Sequence, residues 1–239
     1  MMDGELNPFD SSRIAPGARR FSFASANELH DWWQRFAQAQ WRGAIIGPHG
    51  SGKTTLLREL LRPVDPSPES SLTHAAPSCE QIHELQTSCL IASVRPRGEA
   101  RFQRLQLDEL LPVSSGFQRH PLGRFSRLLA AARGRRWLMV DGYEQLNGWQ
   151  RWRLENARRR WNFALTVTSH APVHYTSLVE LRVDMRLAAK LLTEELGAEH
   201  GIPMSLVEEL LRRHDGNWRE AQFALYDWWK DSRASQLET

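Results

Sequence analysis

Apolar side chains recur along the chain in two rhythms. Short, nearly unbroken apolar runs occur at 41–46 (WRGAII), 88–94 (SCLIASV), 136–140 (RWLMV), 163–168 (FALTVT) and 178–183 (LVELRV). Runs of this length without strict alternation predict strands buried on both faces. Elsewhere the apolar positions fall at helical spacing. Over 26–40, Leu29, Trp32, Trp33, Phe36 and Ala37 share one helical face. Helices are also predicted over 53–61, stopped by Pro63; over 121–132, with Phe125, Leu128, Leu129 and Ala132 inward; and over 148–160. The stretch 95–118 is ambiguous, with 105–111 readable as strand or turn. Residues 62–80 are Pro/Ser-rich and read as a mobile loop. After residue 184 the signal is wholly helical, over about 185–196, 204–213 and 217–230.

Strands alternating with helices predict an α/β fold: a five-stranded parallel sheet flanked by helices, followed by a small all-helical lid. The segments are a loose tail over 1–20, an α/β domain over 21–183, a helical lid over 184–232 and a second tail over 233–239.

Composition narrows the classes. Of 239 residues, 41% are apolar and 25% charged, which is enough for a core and excludes wholesale disorder. Two cysteines, Cys79 and Cys89, cannot make a disulfide-dense scaffold and lack zinc-ligand spacing. No apolar run reaches the ~20 residues of a membrane span. The stretch MMDGELNPFDSSRIAPGARR has no apolar h-region, so the expected location is the cytoplasm. Net charge is only +3, but it is uneven: 95–160 holds fifteen arginines against six acids, and 184–239 holds seven basic side chains against eleven acids. The region 95–160 is therefore a candidate contact for nucleic acid or another acidic partner. A solvated arginine-rich surface is the plainer alternative. Arginine outnumbers lysine 28 to 3, which argues for a chain-wide compositional bias.

The most specific chemical signal is Gly47-Pro48-His49-Gly50-Ser51-Gly52-Lys53-Thr54-Thr55. It satisfies G-x-x-x-x-G-K-[ST], with an apolar strand before it and an amphipathic helix after it. Glycines let backbone amides turn inward around phosphate oxygens. The first helical turn adds free N–H groups and a positive dipole end. Lys53 is suited to the β- and γ-phosphates, and the Thr54 hydroxyl to Mg²⁺. A second signal is Trp137-Leu138-Met139-Val140-Asp141, an apolar strand ending in an acid, the Walker B pattern. Asp141 would hold Mg²⁺ through water. Gly142 follows it, so the next acid is Glu144, placed either to polarise an attacking water or to cap the following helix. The fourth strand ends in Thr168-Ser169-His170, where a hydroxyl is suited to sensing a γ-phosphate and His170 reads as a surface residue. Near the C-terminus, Gly216 breaks a helix, Asn217 caps the next, and Arg219 sits in its first turn, where the dipole disfavours a cation. Reaching nucleotide phosphates is one reason for such a cation; an ion pair with Glu220 or Asp215 is the other.

Together GPHGSGKTT, WLMVDGYEQL, LTVTSH and DGNWREA, in that order, resemble the AAA+ and STAND side of the P-loop NTPases, over about 21–230. The resemblance implies ATP bound between a five-stranded parallel sheet and a helical lid. It implies Thr168 or Ser169 as a sensor-1 residue and Arg219 as a sensor-2 arginine. Asp-Gly-x-acid is similar to the NACHT-type second motif, although the second of its two later acids is Gln145 here. The stretch 170–180, where the resemblance would put an arginine finger, contains no arginine; Arg158, Arg159 and Arg160 are nearby, but as helix-end arginines beside Trp161 they read more simply as surface and dipole partners.

The expected function is therefore an Mg-ATP-dependent ATPase switch acting on a protein partner or through self-association. The alternative is a non-hydrolysing ATP-binding adaptor that assembles with protein or nucleic acid. A small-molecule kinase fits the loop but lacks an acceptor-site pattern. No N-K-x-D follows the second motif, which favours adenine over guanine. Of the ten tryptophans, Trp149, Trp152, Trp161 and Trp218 read as core or lid-to-sheet contacts. Trp228 and Trp229 are adjacent and cannot both point inward from one helix, so one is expected to stay exposed, a candidate partner surface.

Overall fold

The computed structural model describes residues 20–23, 28–62, 77–97, 104–108, 124–198 and 200–237. They form two compact units: one takes 23–46 and 57–180, and the other takes 47–56 with 20–22 and the chain from Leu181 onward.

The first unit is α/β. Its elements are α1 (Glu28–Gln38), β1 (Arg42–Ile46), α3 (Cys79–Thr87), β2 (Cys89–Arg97), β3 (Arg104–Asp108), α4 (Arg124–Ala132), β4 (Trp137–Asp141), a 3-10 turn (Tyr143–Gln145), α5 (Gly148–Trp161), β5 (Ala164–Ser169) and β6 (Ser177–Glu180). Helix α2 (Lys53–Glu59) begins in the other unit. The described strands form one sheet in the order β3-β2-β4-β5-β1-β6. Strands β2, β4, β5, β1 and β6 run parallel. The sixth strand, β3, pairs antiparallel with β2 through Ser93↔Asp108 to Arg97↔Arg104 and resolves the ambiguous 95–118 stretch where it is described. Pairing of β2 with β4 ends at Ser93↔Asp141, so Pro96 lies beyond it, where its missing N–H takes nothing from the parallel ladder.

The central strands are apolar runs because both their faces are covered. Every residue of β5 is buried, as are the last four of β1 and the first four of β4. On one side α1 buries Trp32, Trp33 and Phe36. Their rings gather on Trp137 of β4, with centroids 6.2, 5.4 and 5.6 Å away. Trp137 Nε1 donates to Thr166 Oγ1 at 3.0 Å, so its one polar atom is satisfied inside the sheet layer. A second cluster joins Leu128 and Leu129 of α4, Leu154 of α5 and Leu138, Val140, Leu165 and Val167 of the strands.

Several expected bounds move. The final strand is Ser177–Glu180 rather than 178–183. Helix α4 is described from Arg124, and 121–123 lie outside the described residues, as do 1–19, Pro63 and most of the 62–80 loop (63–76). The end of that loop is a helix, not a loop. Ser78 Oγ accepts from Gln81 N at 3.2 Å and Gln81 Oε1 from Ser78 N at 3.0 Å, a reciprocal cap that starts α3. Buried Gln86 of α3 then donates through Nε2 to the carbonyls of Leu60 and Arg62, at 2.8 and 2.6 Å, satisfying groups left open beyond α2.

The second unit carries three helices, α6 (Met185–Leu196), α7 (Met204–Arg213) and α8 (Trp218–Leu237). Asp184 caps α6, its Oδ1 accepting from Leu187 N at 2.8 Å. Ala188, Leu192, Val207, Leu211, Trp218 and Leu225 make its core. Helix α8 runs to Leu237, past the expected end at 230 and into the stretch read as a tail, whose residues 238–239 lie outside the described residues. Trp228 and Trp229 both pack partly against this core, so neither is the exposed tryptophan expected there. The exposed pair is Trp149 and Trp152, read from sequence as core: each is 61% exposed.

Among the described residues no helix is long and apolar enough to cross a membrane.

Candidate functional site

In the α/β unit the chemistry gathers at the C-terminal ends of β4 and β5. Asp141 ends β4, and Thr168 is the penultimate residue of β5. Thr168 Oγ1 donates to Asp141 Oδ1 at 2.6 Å and accepts from Gly142 N at 2.9 Å. The hydroxyl is fully buried and spends both its donor and an acceptor on one neighbouring strand end. This separates the two hydroxyl candidates. Ser169 Oγ is turned into its own loop, donating to Ala171 O at 2.7 Å and accepting from Ala171 N at 3.3 Å.

Residue 142 has no room for an acid. Gly142 has φ +83°, and a Cβ there would lie 2.4 Å from the Val94 carbonyl oxygen. The backbone of β2 therefore imposes glycine, and the next acid is carried by the 3-10 turn at Glu144. Helix α5 is capped by Asn147 and Gln150, each side chain accepting from the other's N–H at 2.9 Å, so Glu144 is not its cap. Glu144 Oε1 instead meets His170 Nε2 at 3.0 Å, and its backbone carbonyl accepts from Arg151 Nη2 at 3.1 Å. Its other carboxylate oxygen, Oε2, is buried and has no hydrogen-bond partner among the described residues. His170, expected at the surface, is partly buried on this pair.

Behind the cluster lies a polar network. Glu155 of α5 accepts from Arg158, Arg159 and the Tyr175 hydroxyl. Burial opposes ionisation of Glu155, but these donors prevail and hold it below the usual carboxylate range. Burial pushes the Tyr143 and Tyr175 hydroxyls up, so both stay neutral. Arg158 is thus committed to Glu155 through Nε and Nη2, whereas Arg159 reaches it through Nε alone.

In the other unit, 47–55 forms the glycine-rich loop and the start of α2. Lys53 is buried, and its Nζ donates to the carbonyls of Gly47 and Pro48, both at 2.6 Å. The ammonium is thus folded back into the loop's own ring. Ser51 Oγ is buried without a partner among the described residues. Gly50 has φ +69°; a Cβ there would lie 2.0 Å from Asn217 Oδ1 and 2.9 Å from Arg219 N, so the loop passes directly against the start of α8. Asn217 Oδ1 accepts from Glu220 N at 3.3 Å, as a cap should. The Arg219 backbone is at the loop, while its guanidinium is exposed and lies 5.7 Å from the Phe223 ring centre. His49, Thr54 and Thr55 sit on the loop and the first turn of α2.

No protein-family model and no curated protein sequence matches this chain.

The partners that sequence reading missed are His170 for Glu144 and Asn217 for Gly50. His170 carried a signal, since it follows a strand end already rich in hydroxyls. Asn217 reads from sequence only as a cap.

Proposed function

We propose that the chain is a P-loop NTPase of the AAA+/STAND type that binds Mg-ATP and hydrolyses it as a nucleotide-dependent switch on a partner. The observation that carries this reading is the 2.6 Å bond from Thr168 to Asp141 at adjacent parallel strand ends, in a chain whose β1 runs directly into GPHGSGKTT. Ligands of parallel α/β sheets bind beyond the carboxyl ends of the strands, which supports a site there.

The roles follow the chemistry of each side chain. The backbone of Gly47, Pro48, His49, Gly50, Ser51 and Gly52, with Lys53, Thr54 and Thr55, cradles the phosphates. Lys53 exchanges the carbonyls of Gly47 and Pro48 for phosphate oxygens. The Thr54 hydroxyl and the Asp141 carboxylate are hard oxygen donors suited to Mg²⁺. Bound there, Mg²⁺ would neutralise charge on the β- and γ-phosphates. Thr168 fixes the Asp141 carboxylate. Glu144, paired with His170 through Oε1, is the carboxylate assigned to polarise the attacking water. Arg219 is the lid cation assigned to the phosphates.

The test is ATP binding and steady-state hydrolysis by the chain beside Lys53→Ala and Glu144→Gln. Turnover lost in both, with nucleotide binding kept in Glu144→Gln, is the expected result. Absence of nucleotide binding by the unaltered chain would end the reading. One observation favours the second reading, a non-hydrolysing ATP-binding adaptor: position 142 is closed to an acid. Binding without turnover would select it.

A further inference from the structure

Helix α5 has a face that its fold does not use. Trp149 and Trp152 are each 61% exposed, although burying such rings is among the larger apolar gains open to a chain. Along the same helix Asn156, Arg159 and Arg160 are exposed as well, three to four residues apart, so they continue one stripe. At 1.5 Å per residue the stripe from Trp149 to Arg160 is about 16 Å long.

Two contacts hold this stripe in order. The Arg153 guanidinium lies 4.7 Å from the Trp149 ring centre and 5.9 Å from that of Phe125 in the core, so it ties the outer ring to the inner one. Arg159 Nε donates to Glu155 Oε1 at 3.1 Å while its side chain stays 69% exposed. Glu155, the one acid of α5, is mostly buried beneath that bond, so the helix presents cations and aromatic rings outward.

We propose that the Trp149–Trp152–Arg159–Arg160 face of α5 is a docking surface for single-stranded nucleic acid. The charge selects an anionic partner: α5 carries five arginines against one glutamate. The paired exposed tryptophans then select unpaired bases over a plain polyanion, because stacking needs free π-faces, whereas phosphate contacts need only the cations. The proposal does not depend on nucleotide binding.

The test is fluorescence anisotropy of a labelled oligothymidylate of about twenty nucleotides, beside a duplex of the same length and polyglutamate, over a salt series starting near 50 mM. The unaltered chain is expected to bind the single strand more tightly than either competitor. Trp149→Ala/Trp152→Ala should weaken it about tenfold or more, since each stacked base contributes roughly 1–3 kcal/mol. Trp149→Phe/Trp152→Phe, which keeps the rings, should retain most of the affinity. Arg159→Ala/Arg160→Ala should flatten the salt slope by about 1.4, at roughly 0.7 per lost contact on a single strand. Because both tryptophans are exposed, the alanine variant should keep the unaltered circular dichroism spectrum. No single-strand binding near 50 mM salt, undiminished binding by the alanine variant, or polyglutamate bound as tightly as the oligonucleotide would each overturn the proposal.

Discussion

Replacing Thr168 by valine removes one oxygen and almost no volume. That oxygen donates to Asp141 at 2.6 Å and accepts from Gly142 N at 2.9 Å, and it has no access to water. A hydrogen bond to a charged group contributes about 1.5–3 kcal/mol, and a buried donor left unpaired costs about 1–3 kcal/mol. The Gly142 N–H is only partly buried, which puts that second loss at the low end. The sum is about 3 kcal/mol. In a chain of this length each kcal/mol moves the melting point by about 2–4 °C, so Thr168→Val should melt about 6–12 °C lower. Thr168→Ser keeps the hydroxyl and loses one methyl, at about 1 kcal/mol. Ser169→Ala, whose hydroxyl serves only its own turn, should cost less than Thr168→Val. Urea unfolding of Thr168→Val, Asp141→Asn and the double variant completes a cycle, and a coupling of about 1 kcal/mol or more is expected. A valine variant within about 0.5 kcal/mol of the unaltered chain, or a coupling near zero, would refute the account of this bond.

Three further outcomes follow from the same structure. Gly142→Ala should destabilise by about 3 kcal/mol or more, because a left-handed φ costs about 1–2 kcal/mol and the β2 backbone must also give way; equilibrium unfolding measures it. Gly50→Ala should loosen the loop from the start of α8, seen as faster amide exchange at 218–221. Glu155 is held below its ordinary pKa by its arginine and tyrosine donors, so the stability it adds is full above the ordinary carboxylate range and is lost as pH falls through its lowered value. Glu155→Gln should therefore be less stable at neutral pH and show a flatter acid limb in melting temperature against pH.

What was legible in the sequence was what burial writes into composition. Strands β1, β4 and β5 are covered on both faces, so their apolar runs announce them. Helix α3 was not read because its face is thin: Ile82 and the polar Gln86 are its buried residues. Its reciprocal cap, Ser78 with Gln81, was the available signal. Strand β3 alternates in Arg104-Leu105-Gln106-Leu107-Asp108, a two-residue period, but only pairing with β2 separates it from a turn. Trp149 and Trp152 lie at helical spacing, and spacing alone does not say which face meets the core. At the candidate site the residue types were readable, but their pairings were not. Whether Thr168 or Ser169 faced Asp141 depends on which way one hydroxyl turns at the strand end, and composition carries no trace of that.

The strand order has a consequence for synthesis. Strand β1 is made well before both its neighbours: Arg42 pairs with Leu165, and Ile46 with Ser169 and Glu180. On a chain growing from the ribosome, both hydrogen-bonding edges of β1 wait through about 120 further residues before β5 emerges, and somewhat longer before β6. Contacts this distant in sequence place the sheet among slow-closing topologies. During that interval Ala44, Ile45 and Ile46 have no sheet to enter, and a paused or truncated chain exposes them to any other unpaired strand. The pace of translation from residue 47 to 180 therefore sets how long this strand stays open to misassembly.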